Sequence, residues 1–279
     1  MRRLTLIILA LATLLPSLAQ AYDMLILQSS HNAGYEEACK VISSVNKASQ
    51  QVVVLSDYAE VDAVRIVRED RPRVVLAIGN AAIAATAKIQ RTPVIAVMAL
   101  GADSRANVAG ITVFAEPKYY CELLQQMKVK RIGIIHNPNK TGWYLAKARV
   151  AAEKAGIKLE VRKVETAREA VTQLSSLAGK VDALWILPDS TAVTRETTEA
   201  FFQFGQQQAV PVISFASIHL GMGAAAVVDL NYSAIGRQAA DMAAKLLDGA
   251  DVSSMSFDAP AQPQVKTNRN VLNRLGLTH

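Results

Sequence analysis

Short clusters of small polar residues are the parts of this sequence best suited to chemistry. Each cluster follows a run of apolar residues and offers hydroxyls, side-chain amides or backbone N–H groups rather than a reactive nucleophile. Such groups bind a small ligand through hydrogen bonds, but Ser, Asp and Asn in these places are also ordinary helix N-caps. The candidate binding residues in the clusters are Ser29, Ser30, His31, Asn80, Ala81, Met98, Asn137, Asp189, Ser190, Thr191, Phe215, Ala216 and Ser217.

Motifs for catalysis or for cofactor binding do not occur in the sequence. There is no G-x-x-x-x-G-K-[ST] phosphate loop and no G-x-S-x-G hydrolase motif. Residues 221–226 match the loose G-x-G-x-x-A dinucleotide pattern, but they lead into an apolar run instead of opening a helix. We therefore expect no nicotinamide, flavin or other cofactor, and no catalytic residues.

Three histidines also follow apolar runs, namely His31, His136 and His219. Such residues can ligate a metal or bind an anionic ligand, but their spacing matches no metal motif, so we expect no metal site. Cys39 and Cys121 fall in predicted helices among apolar neighbours, where a cysteine acts as a small core residue. A disulfide between the two is the alternative.

The two tryptophans have different expected roles. Trp185 lies inside an apolar run, so packing in the core is its default role. Trp143 falls in the first turn of a predicted helix that follows one of the polar clusters. Its ring would either stack on a flat or apolar ligand or pack between elements, and we include it among the candidate binding residues.

Nine short apolar runs alternate with longer amphipathic segments from Tyr22 onward. The runs are continuous, which is typical of strands buried on both faces of a parallel sheet. The segments at 141–155, 191–208 and 233–247 have apolar residues at helical spacing. The pattern predicts a doubly wound α/β architecture with strands at 24–28, 51–55, 73–78, 93–97, 131–136, 158–163, 181–187, 211–214 and 224–229.

Two irregular segments divide the predicted strands into groups. Residues 100–115 include Gly101 and Gly110, and residues 249–264 include Pro260 and Pro263. Four strands precede the first segment and five follow it, so we expect two Rossmann-like lobes with crossings at both segments. In open parallel sheets a ligand binds beyond the carboxyl ends of the strands, which is where the polar clusters fall.

The first 21 residues have the pattern of a cleaved secretory signal. Arg2 and Arg3 precede an apolar run at 4–15, and residues 18–21 end in the small residues that signal peptidase needs. The run is shorter than the roughly 20 residues that span a bilayer, and no cysteine follows it for lipid attachment. We expect a periplasmic protein. Cleavage would also remove two arginines from a net charge of +6, which argues against a nucleic acid partner.

Several segments of the second half resemble a known family when they are taken together and in order. They are KRIGIIHNP (130–138), LAGKVDAL (177–184), LPDST (187–191), QAVPV (208–212) and NYSAIGRQAA (231–240), with a similar ending at 268–277. They resemble the ABC transporter substrate-binding proteins, a family that includes tryptophan- and tyrosine-type binding proteins. The resemblance is good from about residue 107 to the end and weak before it.

This resemblance implies a type I periplasmic binding protein of Venus-flytrap architecture, with three crossings between two α/β lobes and the ligand between them. The implied first lobe comprises residues 22–114 and about 230–250, and the second comprises residues 115–229 and about 251–279. The family's cleft contacts would fall at Asn137, at 189–191, at 215–217 and at Asp229, which joins the candidate residues. Relatives often carry acidic residues in the loop after strand 211–214, where this chain has Ala216-Ser217-Ile218-His219.

The implied function is that of the periplasmic solute-binding component of an ABC importer. It would bind an amino acid, a similar small carboxylate or a heterocycle and present it, as a monomer, to a permease in the inner membrane. One alternative is an extracytoplasmic sensor that presents the ligand-bound form to a receptor. The other is a secreted enzyme on the same scaffold, which the missing catalytic motifs disfavour.

Overall fold

The computed structural model describes residues 22–277, so the predicted signal segment lies outside the described residues. Within this range all nine predicted strands are present. Three of them have the predicted ends, at Met24–Gln28, Arg131–His136 and Lys158–Lys163. The predicted α/β class is confirmed.

The first sheet is built from the first half of the chain and one short strand near the C-terminus. Its strands are β1 (Met24–Gln28), β2 (Gln50–Val54), β3 (Val74–Ile78), β4 (Val94–Ala99), β5 (Val108–Thr112) and β11 (Phe257–Asp258). They lie in the order β11-β5-β4-β3-β1-β2, and all pairs are parallel. Every residue of β1, β3, β4 and β5 is buried, which explains why their sequences are continuous apolar runs.

The second sheet repeats this plan with later residues. Its strands are β6 (Arg131–His136), β7 (Lys158–Lys163), β8 (Ala183–Trp185), β9 (Val212–Ser214), β10 (Ala226–Asp229) and β12 (Gln264–Thr267). The order is β12-β10-β9-β8-β6-β7, and the pairs are parallel except β10 with β12. We call the carboxyl ends of the parallel strands the first edge and the second edge, for the first and second sheet respectively.

Helices connect the strands and cover the faces of both sheets. Most of them begin at a side chain that accepts a hydrogen bond from the first turn, such as Asn32, Asn137 and Thr194. The helices are α1 (Ala33–Val45), α2 (Ala63–Asp70), α3 (Asn80–Ala85), α4 (Pro117–Gln126), α5 (Pro138–Lys154), α6 (Ala167–Ser175), α7 (Arg195–Gln207), α8 (Ile218–Gly221), α9 (Tyr232–Leu247) and α10 (Arg269–Arg274).

Helix α9 follows strand β10 of the second sheet in sequence but packs on the first sheet. Its residues Ile235, Ala239 and Ala243 are fully buried in one apolar cluster with Met24 and Leu76 of the first sheet. The close packing on α1 depends on Gly236, because a Cβ there would lie 2.7 Å from the carbonyl oxygen of Ala38. The chain therefore returns to the first sheet between the end of β10 at Asp229 and the start of α9 at Tyr232.

The segment at 100–115, which was expected to be irregular, contains strand β5. The prediction of no strand there was wrong because Gly110 interrupts the apolar pattern of Val108–Thr112. In the sheet this glycine is required, since a Cβ at residue 110 would lie 2.1 Å from the carbonyl oxygen of Ala96 on the neighbouring strand. The chain leaves the first sheet only after Thr112.

The segment at 249–264 also contains a strand that was not predicted. Strand β11 pairs with β5 at Phe257–Gly110 and Asp258–Ile111, so the chain is still in the first sheet at Asp258. Residues 251–258, expected in the second lobe, are thus placed beside the first sheet. The next crossing lies between Asp258 and Gln264, where β12 begins as an exposed edge strand of the second sheet.

The two cysteines are free and buried in different apolar clusters. Cys39 of α1 belongs to the cluster of the first sheet, and Cys121 of α4 belongs to a cluster of the second. Burial raises the pKa of the Cys121 thiol to about 11, with a smaller contribution from Glu122. Their interpretation as core residues is confirmed, and the disulfide alternative is wrong.

Between residues 22 and 277, no helix combines the length and the apolar character that crossing a bilayer requires.

Candidate functional site

Two adjoining cavities lie where the first edge and the second edge face each other. The first, which we call the Tyr35 cavity, has a volume of about 240 Å³. It receives side chains from both edges and from the first turns of α1 and α9. It is lined by Asn32, Tyr35, Asn80, Met98, Leu100, Val113, Pro188, Phe215, Ala216, Leu230 and Tyr232.

The second, the Lys140 cavity, has a volume of about 510 Å³. It shares Asn80, Leu100 and Pro188 with the Tyr35 cavity, so the two are continuous along one cleft. Its remaining lining residues are Gly101, Ala102, Asn139, Lys140, Trp143 and Ser190. Both cavities combine apolar side chains with a few polar ones, and Lys140 is the one charged residue among the described residues that line them.

The first edge is shaped by tight contacts around Gly79. A Cβ at this residue would lie 2.7 Å from the Tyr35 ring and 2.8 Å from Ser29 Oγ, and its φ of 82° also favours glycine. The Ser29 hydroxyl donates to the Ile78 carbonyl at 2.8 Å and accepts from the Ala82 N–H at 2.9 Å. Ser29 therefore joins β1 to the start of α3 and supports the loop that carries Asn80.

Met98 occupies an unusual backbone position at the same edge. It has a φ of 59°, a conformation that few residues other than glycine adopt, and the register of β4 against β5 shifts at this point. The side chain is buried and lines the Tyr35 cavity. The bulge turns Met98 and Leu100 toward the cleft side of the sheet, where both line the cavity.

The second edge is organised by the buried carboxylate of Asp189. One oxygen accepts from the Asn137 N–H at 2.8 Å and from the Thr141 hydroxyl at 2.7 Å. The other accepts from the N–H groups of Thr191 and Ala192, each at 2.9 Å. With four donors the carboxylate is saturated, and it ties the loop after β8 to the loop after β6.

Asn137 and Thr191 complete this network behind the cavity wall. The Asn137 amide donates to the Thr191 hydroxyl at 3.3 Å, and its oxygen caps α5 by accepting from the Asn139 N–H at 2.9 Å. Of the polar cluster at 189–191, only Ser190 lines the Lys140 cavity. The other two residues position it, together with the first turn of α5.

Asp229, which is buried, and Ser217, which is half-buried, form a second polar group. The Asp229 carboxylate accepts from the Ser217 hydroxyl and from Lys266 Nζ, which lies 2.6 Å away and also contacts Ser217 at 2.9 Å. Lys266 belongs to β12, so this ion pair fastens the last strand to the end of β10. Neither Asp229 nor Ser217 lines the two cavities.

The three histidines are held apart. His31 is exposed between Glu36 and Asp57, at 3.0 and 2.9 Å, and these hydrogen bonds raise its pKa. His136 contacts the Thr141 hydroxyl at 3.2 Å and His219 contacts Ser214 Oγ at 2.6 Å, and burial lowers the pKa of both. In the part of the chain that the structure describes, no three His, Cys, Asp or Glu side chains are grouped as a metal site requires.

Trp143 occupies an intermediate position between its two expected roles. Its ring meets Phe114 edge-on, with centroids 5.0 Å apart, and Lys147 Nζ lies 5.5 Å from its centroid. The side chain is nevertheless 37% exposed and lines the Lys140 cavity. One face is therefore packed while part of the ring is available to a ligand.

The predicted residues fall into three groups. Those that line the cavities are Asn80, Met98, Trp143, Ser190, Phe215 and Ala216. Those in supporting networks are Ser29, Asn137, Asp189, Thr191, Ser217 and Asp229. Those outside both cavities and these networks are Ser30, His31 and Ala81.

The prediction missed several lining residues, including the two tyrosines. Tyr35 and Tyr232 stand in the first turns of α1 and α9, which bracket the first edge. Gly34 leaves space for the Tyr232 ring, whose nearest atom would lie 2.5 Å from a Cβ at that residue. Burial raises the pKa of both phenols. The available signal in the sequence was a tyrosine in the first turn after an Asn N-cap, at Asn32 and at Asn231.

The family is decided by a match along nearly the whole chain. The sequence model described as "ABC transporter substrate binding protein" matches residues 16–279. The chain belongs to this family. The resemblance seen in the second half of the sequence is therefore confirmed and extends to the first.

A curated member with a related sequence is described as "Tyrosine-binding protein" from Clostridioides difficile (strain R20291). It is 23% identical over 178 residues, which is 61% of this chain and 50% of the relative. The chain thus aligns with about half the length of this curated relative.

Solved structures agree on the fold. One is the ABC domain in complex with L-Trp from Streptococcus pneumonia, with a TM-score of 0.64 and 18% identity over 91% of this chain and 94% of that chain. Another is the ligand-free, open structure of a substrate binding protein with adhesive properties from Clostridium difficile. It has a TM-score of 0.66 and 19% identity over 92% and 96% of the two chains. The two-lobed type I periplasmic binding protein fold is shown.

Proposed function

We propose that this protein is the solute-binding component of an ABC importer and that it holds a small molecule between its two edges. The observation that carries the proposal is the pair of continuous cavities, because each is lined by residues that follow strands of both sheets. The candidate contacts are the lining residues. The supporting networks of Asp189 and Asp229 act through the loops they hold.

Binding would work by favouring one arrangement of the two lobes. A ligand that contacts Asn80 and Leu100 on one side and Ser190 and Phe215 on the other makes all its contacts only when the edges are close. It therefore shifts the population toward the closed form by its differential contacts. Micromolar affinity requires about 8 kcal/mol, which a few hydrogen bonds and an apolar wall supply after the ordering costs.

The closed form would then dock on a permease in the inner membrane and deliver the ligand. This role places the protein in the periplasm after removal of the predicted signal at 1–21, as a monomer. The division into lobes that we propose is residues 22–114 and 230–258 for the first lobe, and 115–229 with the residues after the crossing that precedes Gln264 for the second.

A thermal-shift screen of amino acids, other carboxylates and heterocycles tests the proposal. A ligand at about 100 times its Kd stabilises the folded protein by about 2.7 kcal/mol, which raises Tm by roughly 5 °C or more. The variant Asn80→Trp fills the junction of the two cavities and should abolish the shift. Asn273→Trp is the matched control, since Asn273 is exposed on α10 and lines neither cavity.

Solution scattering provides the second arm of the test. A stabilising ligand should reduce the radius of gyration of the wild type and of Asn273→Trp, and should leave that of Asn80→Trp unchanged. A screen without any stabilising compound, or a ligand whose shift survives Asn80→Trp, would contradict the proposal.

A further inference from the structure

The lining of the cleft has an excess of positive charge. Among the described residues that line the two cavities, Lys140 is the one charged side chain, and neither lining includes an Asp or a Glu. Lys140 is exposed at the start of α5 and forms none of the ion pairs found between residues 22 and 277. The cleft therefore offers a cation without a fixed negative charge beside it.

Four carboxylates are adjacent in sequence to lining residues, and all are already engaged. Glu36 pairs with His31 at 3.0 Å and Asp103 with Arg105 at 2.6 Å. Asp189 accepts from four donors within its own two loops. Asp229 is buried and is paired with Lys266 at 2.6 Å. An incoming ammonium group would have to displace Lys266 from its ion pair or break the Asp189 network, and the second change would leave buried donors without acceptors.

The other end of the cleft selects for apolar surface. The Tyr35 cavity is lined by the buried side chain of Met98 and by the partly buried side chains of Tyr35, Val113, Phe215, Leu230 and Tyr232. Its lining residues with polar groups are Asn32, Asn80 and the two tyrosines, and all of them are uncharged. A ring or branched hydrocarbon gains about 25 cal/mol for each Å² of apolar surface that it buries there.

From these observations we infer the ligand class: a small carboxylate with an aromatic or branched apolar body and no ammonium group. The body lies in the Tyr35 cavity, and the carboxylate reaches the Lys140 cavity, where it meets Lys140 with Ser190 and the Asn139 side chain. This inference rests on the proposed binding function. It departs from the amino acids named for the two relatives above.

An α-ammonium group would be rejected for two reasons. It loses its hydration in the closed cleft without gaining a carboxylate partner, and it stands within the field of Lys140. A matched acid that lacks only this group avoids both costs. Because an unpaired buried charge is costly, we expect the matched acid to bind about tenfold or more tightly than the amino acid.

Matched ligand pairs provide the direct test. Titration calorimetry would compare 3-phenylpropionate with L-phenylalanine, and indole-3-propionate with L-tryptophan, on the wild-type protein. We expect the acid without the amino group to bind at least about tenfold more tightly in the better-binding pair. Equal or tighter binding of the amino acids overturns the inference and leaves the proposed function intact.

Two lysine variants locate the carboxylate. Lys140→Gln should weaken binding of the preferred acid by about tenfold or more, while its neutral amide, 3-phenylpropionamide or indole-3-propionamide, changes by less than about twofold. Lys154→Gln is the control, because Lys154 lies in the last turn of the same helix, about 21 Å along the axis. It should leave both affinities unchanged.

The remaining outcomes are also decisive. Equal losses for the acid and the amide in Lys140→Gln would mean that Lys140 acts through structure, and no loss would mean that the carboxylate lies elsewhere; each refutes the placement. If neither pair binds while another compound of the thermal-shift screen does, the ligand class is wrong and the binding function stands. If no compound in that screen binds, the proposed binding function is refuted, and the inference about the ligand class is refuted with it.

Discussion

The first and second edges face the same cleft but are held in shape by different means. At the first edge, Gly79 allows the Tyr35 ring and Ser29 to approach the backbone where a side chain would stand. At the second, the carboxylate of Asp189 binds two loops through four hydrogen bonds. Close backbone packing maintains one edge, and a buried charge maintains the other.

This difference shows that a shared topology does not impose a shared way of building a site. A saturated carboxylate holds the second edge in one geometry, because moving either loop leaves a buried charge or buried N–H groups unpaired. The first edge has neutral contacts that are weaker individually and depend on small residues. The predictions below separate the two mechanisms, beginning with the largest effect.

Removal of the carboxylate at the second edge should be the most damaging change. Asp189→Ala leaves four donors of two buried loops without an acceptor, and we expect it to lower the free energy of unfolding by about 3 kcal/mol. Chemical denaturation measures this loss. Asp189→Asn keeps the size of the side chain and should lose less. Loss below about 1 kcal/mol in Asp189→Ala would show that the network is not what holds this edge.

Filling the space at Gly79 should come next. Gly79→Ala combines a φ of 82° with contacts of 2.7 Å to Tyr35 and 2.8 Å to Ser29, and we expect a loss of about 2 kcal/mol. The control is Gly179→Ala, in the loop before β8 of the second sheet. Gly179 has a φ of 68°, but nothing lies within 4 Å of the added Cβ. It should lose about 1 kcal/mol from backbone strain alone. Equal losses in the two variants would remove the argument from close packing.

The Ser29 hydroxyl should contribute a smaller amount to the first edge. Ser29→Ala removes a hydrogen bond to Ile78 and leaves the Ala82 N–H without its 2.9 Å acceptor, which we expect to cost about 1 kcal/mol in unfolding experiments. Ser30→Ala, one residue later and outside both cavities, is the control and should be neutral. A loss as large as that of Asp189→Ala would erase the contrast between the edges.

The histidines should make the stability of the fold depend weakly on pH, in opposite directions for His31 after β1 and for His136 and His219 in the region of the second sheet. His31 has a raised pKa in the folded state, so its interaction stabilises the fold below its ordinary value of 6.5 and is lost as pH rises through the folded pKa. His136 and His219 have lowered folded pKa values, so the stability that they contribute is present above pH 6.5 and falls as the pH drops.

Proton NMR titration of the histidine ring signals measures these directions, with His31→Gln identifying the exposed residue. The difference in stability between wild type and His31→Gln should shrink as the pH rises through the His31 pKa. Titration of all three rings near 6.5 would show that neither burial nor the flanking carboxylates act as described.

The sequence predicted the strands well where burial on both faces produced continuous apolar runs, as in Met24–Gln28 and Arg131–His136. It failed for β5 because a close contact with the neighbouring strand requires glycine at residue 110, and no local sequence pattern shows such a contact. It failed for β12 because all four residues are exposed on an edge and carry no apolar signal. Local patterns thus predicted the core of each sheet and missed its margins.

The candidate site was predicted in the same uneven way. The rule that ligands bind beyond strand ends directed attention to Asn80, Ser190 and Phe215, and these residues line the two cavities. The rule did not separate lining residues from supporting ones such as Asp189, because both are small polar residues in the same loops. Tyr35 and Tyr232 belong to helices, and they reach the cleft only through the tertiary packing of α1 against α9.

Each lobe has one free cysteine in its core, so the reactivity of the two thiols reports the local unfolding of each lobe. Cys39 is enclosed with α1 and α9, and Cys121 lies in an apolar cluster of the second sheet. A thiol reagent reacts with such residues only when the surrounding region opens, so the two labelling rates measure the opening free energies of the lobes separately. Mass spectrometry of the labelled peptides would show whether a ligand protects both lobes or only one.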